Sequence, residues 1–135
     1  MSILANIARK VDRLGVDDQF ESEADTVIDL WVYLAKYLDW ITGGDSGPDA
    51  VDAMLHEGLS EVDDLPRDHG MDLKYVQQQM NDYLTLVETN VVAKKSKIEF
   101  VYKMMRQVLP IAVDIWTAEA LEDEADKEID RIHGP

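Results

Sequence analysis

The sequence predicts an all-α fold: an up-and-down bundle of five or six helices forming a single domain over residues 1–135. Three observations predict it. Apolar residues recur at three- and four-residue spacing nearly everywhere. No stretch keeps a period of two, and no turn dipeptide joins two β-rich runs. Helix starts and stops punctuate the chain at short intervals, as an antiparallel bundle requires.

Ile3, Leu4, Ile7, Ala8, Val11 and Leu14 form the first apolar stripe, with Ser2 as its N-cap and Gly15 past its end. Asp17-Asp18-Gln19 reads as a turn. Ser22 and Asp25 form an S-x-x-D capping box, which opens a second helix that closes at Gly43-Gly44. That helix is apolar almost all round, through Val27, Ile28, Leu30, Trp31, Val32, Leu34, Ala35, Leu38, Trp40 and Ile41, and is expected at the centre of the bundle. Pro48, after Asp45-Ser46, starts a third helix carrying Val51, Met54, Leu55, Leu59 and Val62. Leu65 to Met71 contains Pro66 and Gly70 and reads as the main loop. A fourth helix follows Asp72, with Leu73, Val76, Met80, Tyr83, Leu84 and Val87 on one face. Ser96 and Glu99 form a second capping box. The helix it opens is expected to break or kink at Leu109, before Pro110, and to resume from Ile111 to about Ile132. From about residue 119 this last helix is strongly acidic: Glu119, Glu122, Asp123, Glu124, Asp126, Glu128 and Asp130. Acids at a helix C-terminus oppose its dipole, so fraying is expected there.

Composition removes several classes of function. There is no cysteine, hence no disulfide, thiolate or zinc–thiolate chemistry. The three histidines, His56, His69 and His133, lack ligand spacing. No apolar run approaches the roughly 18 residues of a membrane span. The expectation is a soluble cytoplasmic protein. A net charge of −15 disfavours direct binding to nucleic acid or to an anionic membrane. It suits a protein that holds cations, docks on a basic partner, or simply stays soluble.

Asp29 is the unusual residue, a carboxylate inside the most apolar helix. Such a group is costly unless a basic side chain or a metal meets it. Asp25, Asp29, Tyr33 and Lys36 share one helix face, which puts the two carboxylates about 5–6 Å apart at Cβ. A pair at that separation can share Mg²⁺ or Mn²⁺. The alternative is that Asp25 caps the helix and Asp29 pairs with a lysine or arginine. Asp114 has a similar setting, since Ala112-Val113-Asp114-Ile115-Trp116 echoes Val27-Ile28-Asp29-Leu30-Trp31. Glu57 and Glu61 form another acidic pair, most simply a solvated face. Lys94, Lys95, Lys97, Lys103 and Arg106 concentrate positive charge in one window. Of these, Lys95, Lys97 and Arg106 are candidates to hold phosphates.

Glu21, Ser22, Asp25, Thr26, Asp29, Leu30 and Tyr33, in the pattern Glu-Ser-x-x-Asp-Thr-x-x-Asp-Leu-x-x-Tyr, resemble the signature of a phage-associated nucleotide-modification family. That family is allied to the all-α, MazG-like nucleoside triphosphate pyrophosphohydrolases. The resemblance spans about residues 3–42 and includes Ile7 to Leu14. It implies a helical bundle in a bacterial or phage-infected cell, whose acids bind Mg²⁺ and activate a water toward a nucleotide triphosphate. Asp25 and Asp29, with Glu21 a further candidate, match the metal-binding positions. The chain departs from the MazG-like pattern in lacking a Glu-x-x-Glu pair on an earlier helix; only Asp12 stands there. Either Glu57, Glu61 or Asp114 replaces that pair, a partner subunit supplies it, or the site is inactive.

Two functions follow as expectations. One is a Mg²⁺-dependent nucleotide pyrophosphohydrolase. The other is a non-enzymatic acidic helical protein of phage type that inhibits a host protein or mimics the charge of DNA. A homo-oligomer is expected in either case, because the second helix carries more apolar surface than a short bundle readily covers.

Overall fold

The computed structural model describes residues 2–16, 19–43 and 70–133, with side chains to residue 118. The described residues form four α-helices and no strand: α1 (Ile3–Asp12), α2 (Glu23–Ile41), α3 (Gly70–Thr89) and α4 (Lys94–His133). None of these helices is long and apolar enough to cross a membrane.

The caps formed as their residue types dictate. Ser2 Oγ accepts the Ala5 N–H at 3.1 Å, and Ser22 Oγ accepts the Asp25 N–H at 3.1 Å, each satisfying one orphan donor of a first turn. Gly15 and Gly43, just beyond α1 and α2, adopt φ of +88° and +66°, the left-handed conformation that glycine takes at least cost.

The described residues hold four helices, against five or six expected over the whole chain. The helix expected from Pro48, like the turn at Asp17-Asp18, lies outside the described residues. α3 begins at Gly70, so Gly70 and Met71 belong to a helix rather than to a loop. α4 starts at Lys94, and the Lys97 N–H bonds the Ala93 carbonyl at 3.1 Å. Ser96 therefore sits inside the first turn and is not the cap. Pro110 lies within a single helix of 40 residues. Its ring removes the donor that would serve the Arg106 carbonyl. Here the Trp31 indole N–H, from α2, donates to the neighbouring Met105 carbonyl at 3.2 Å. Residues packed on both sides of Pro110 hold the helix together: Val101, Met104, Met105 and Val108 before it, Ile111 and Ala112 after it, all buried. Tertiary burial has overridden the local breaker.

α2 packs against both α1 and α4. Its buried face is Ala24, Thr26, Val27, Leu30, Leu34, Tyr37 and Leu38. It is not covered all round by the described residues: Val32 and Trp40 are exposed. Three aromatic rings fix the direction of the neighbours. The Tyr37 and Tyr83 hydroxyls are hydrogen-bonded at 2.8 Å, and the Tyr83 ring stacks on Phe100 at 4.2 Å between centroids. Tyr37 thus lies level with Phe100, while Trp31 meets Met105, so α2 and α4 run antiparallel. α3 also runs against α4, with Tyr83 at Phe100 and Tyr75 beneath Lys103.

The Tyr37–Tyr83 bond is the polar point of an apolar core. Burial, followed by its bond to Tyr37, pushes the Tyr83 hydroxyl pKa up. Tyr37→Phe is expected to cost about 1–3 kcal/mol by leaving the Tyr83 hydroxyl unsatisfied. Adding Tyr83→Phe should recover most of that loss, since both polar partners are then gone. Urea denaturation of the two variants checks this; a double variant no better than the single one would contradict it.

Candidate functional site

α1 and α2 form an antiparallel pair whose charged side chains meet at one end. Lys10, in the last turn of α1, is nearly buried. Its Nζ donates to Glu21 Oε1 and lies 3.0 Å from Asp29 Oδ2. Arg13 Nε lies 2.6 Å from Glu21 Oε2. One cation therefore bridges two carboxylates, and one of those carboxylates carries a second cation. The side chain of Glu21 is 18% exposed and that of Asp29 47%. Glu21 is the inner partner and Asp29 the outer one.

The two inner groups perturb each other as this geometry requires. Burial pushes the Lys10 pKa down, but its bonds to Glu21 and Asp29, with their charges, outweigh burial and leave it raised. The bond from Lys10 lowers the Glu21 pKa against the opposing effect of burial, and the charges of Lys10 and Arg13 lower it further.

These residues floor an open cleft of about 460 Å³ lined by Arg9, Lys10, Arg13, Phe20, Glu21, Asp25 and Asp29. Asp25 is exposed at its edge. The structure thus brings Glu21, Asp25 and Asp29 to one cleft, together with the basic side chains of Arg9, Lys10 and Arg13. Lys10 and Arg13 stand eleven and eight residues before Glu21, across the connection from α1 to α2.

The other candidates lie elsewhere. Asp114 is buried on α4 and does not line this cleft. Lys95 is exposed and Lys97 half-buried at the start of α4. Arg106 lines a separate cleft with Asp72, Tyr75, Gln107 and Pro110. None of these three basic residues lines the α1–α2 cleft. Glu57 and Glu61 lie outside the described residues. Among the described residues no three acids or histidines are grouped as a metal would need.

Comparison with protein-family models, curated proteins and solved structures finds no match. The resemblance of residues 3–42 therefore rests on its motif residues.

The cluster sets two expected outcomes. Glu21→Gln should cost about 3 kcal/mol, because it leaves two largely buried cations short of a partner. Asp29→Asn should cost no more than about 1 kcal/mol, because Asp29 is half-exposed and Lys10 keeps Glu21. Equal losses in denaturant titrations would refute this ranking.

Stability should also depend on pH at both ends. Glu21 has a lowered folded pKa, so its contribution is present above the ordinary glutamate value of about 4.3. That contribution is lost as pH falls through the lowered value. Lys10 has a raised folded pKa, so its contribution is present below about 10.4 and lost as pH rises through the raised value. Tyr83, also raised, adds to the alkaline loss. Melting temperatures across this range should show a plateau with both shoulders, and Glu21→Gln should flatten the acid one.

Proposed function

We propose that this chain is a non-enzymatic, acidic helical protein that binds a basic protein partner. The observation that carries this reading is the Lys10 bridge: the carboxylate of Asp29 meets a lysine at 3.0 Å. An internal lysine answers the electrostatic need that a metal would otherwise meet. The distribution of charge supports the same reading. Residues with described side chains carry eleven acids and ten bases, so their net charge is close to zero. Most of the −15 belongs to residues 44–69, with eight acids and one arginine, and to residues 119–133, with seven acids and two bases. Charge gathered in two segments is suited to docking on a cationic surface.

A second reading, a Mg²⁺- or Mn²⁺-dependent nucleotide pyrophosphohydrolase, draws support from Asp25 and Asp29 lining the same open cleft. In it, these two carboxylates and Glu21 would hold the metal, and the metal would activate water. Lys10 and Arg13 would have to yield their partners for that to happen.

Thermal melts with divalent cation separate the two. The interaction reading expects no change in wild-type melting with Mg²⁺ or Mn²⁺. The hydrolase reading expects a gain of about 2.7 kcal/mol at a hundredfold excess over the dissociation constant. Asp25→Asn, at an exposed position away from the Lys10 bridge, should abolish that gain. A metal response lost in Asp25→Asn would overturn the interaction reading.

A further inference from the structure

On the opposite side of α2 from the tyrosine cluster, Ile28, Trp31 and Val32 meet Leu109, Ala112, Val113 and Trp116 of α4. They line an open groove of about 270 Å³ whose exposed wall is wholly apolar. The two echoed segments, Val27 to Trp31 and Ala112 to Trp116, contribute matching positions: Ile28 with Val113, and Trp31 with Trp116. Trp116 is 57% exposed and Val32 39% exposed. Two helices that leave an apolar trough between them offer the seat that an amphipathic third helix fills.

Charge names the occupant. Seventeen residues of α4 follow Trp116, while only five of α2 precede Ile28. Because the helices are antiparallel, α4 carries on beyond the start of α2. The continuing stretch holds Glu119, Glu122, Asp123, Glu124, Asp126, Glu128 and Asp130 against Lys127 and Arg131. A helix with an apolar face and lysines or arginines beside it would be attracted.

We infer that the α2–α4 groove binds a basic amphipathic helix of a partner protein, with its apolar face on Trp31, Val32, Val113 and Trp116 and its cationic residues along the acidic end of α4. The inference rests on the interaction reading above and names its surface.

The test titrates the full chain with a leucine–lysine peptide of about five helical turns. A peptide of the same composition, scrambled to destroy its apolar face, serves as control. Calorimetry gives the affinity, and tryptophan emission reports burial of Trp31 and Trp116. The amphipathic peptide is expected to bind at least about tenfold more tightly than the scrambled one, with a blue shift. Val32→Asp and Trp116→Ala, both at exposed positions, should remove that preference while leaving melting unchanged. Asn and Gln at Glu119, Asp123, Asp126 and Asp130 should weaken binding and reduce its salt dependence. Leu86→Ser, exposed on α3, should change nothing. Equal salt-sensitive binding of both peptides, unaffected by Val32→Asp, would overturn the groove and leave the interaction reading standing. No binding of either peptide would overturn both. Self-association in sedimentation that Trp116→Ala abolishes would make the groove a contact between copies and overturn the basic-helix occupant.

Discussion

Lys10 is the constraint on which the α1–α2 unit depends. An ammonium group with so little access to water is tolerated only where carboxylates surround it, and Glu21 and Asp29 do so from two directions. Glu21 lies in the connection before α2, and Asp29 lies two turns inside it. Satisfying both at once sets the height of α1 along α2 and not merely its proximity. The apolar contacts alone, Ile7 and Val11 on α1 against Val27, Leu30 and Leu34 on α2, would tolerate a shift of a turn far more readily. The ionic cluster thus contributes register more than raw stability. From α1 that register passes to α3, where the Gln77 amide donates to the Val11 carbonyl at 2.9 Å.

The fold class was legible because each described helix carries its own apolar stripe and, in α1 and α2, its own cap. Ser2, Ser22 and Gly43 act as their residue types dictate. The misread positions are those where distant packing outweighs local chemistry. Pro110 is a strong local breaker, yet α4 stays continuous with buried neighbours on both sides of it. Ser96 fits a cap pattern, yet the helix begins at Lys94. The apolar circumference of α2 suggested complete enclosure. Its buried positions instead follow one side, leaving Val32 and Trp40 outside.

The candidate site was half legible. The apolar context of Asp29 required a counter-charge, and the structure has one. Whether a metal or a side chain supplies it is a long-range question, because Lys10 stands nineteen residues earlier and reaches Asp29 only once α1 folds back along α2. The same reasoning explains why Lys95, Lys97 and Arg106, the candidates to hold phosphates, do not line the cleft of Asp25 and Asp29. They are the densest positive charge in the chain, but α4 meets α2 on a different side from α1. Density along the sequence says nothing about which face a helix turns to its neighbour.

The molecule separates two electrostatic tasks. Charges on the described side chains are nearly balanced, and Lys10, Arg13, Glu21 and Asp29 pair within the fold. The excess negative charge belongs, in the sequence, to residues 44–69 and to the last turns of α4. An acidic excess spread through the bundle would raise the repulsion among α1, α2 and α4 and weaken the fold. The share carried by the last turns of α4 lies beyond the start of α2, away from the packed core. That share also follows, on the same helix, the residues that wall the apolar groove between α2 and α4, so that hydrophobic and ionic attraction would act together on the proposed partner. In the proposed interaction, recognition and the ion pairs of Lys10 rest on different charges, so the last turns of α4 can change in charge without touching the pairs that align α1 with α2.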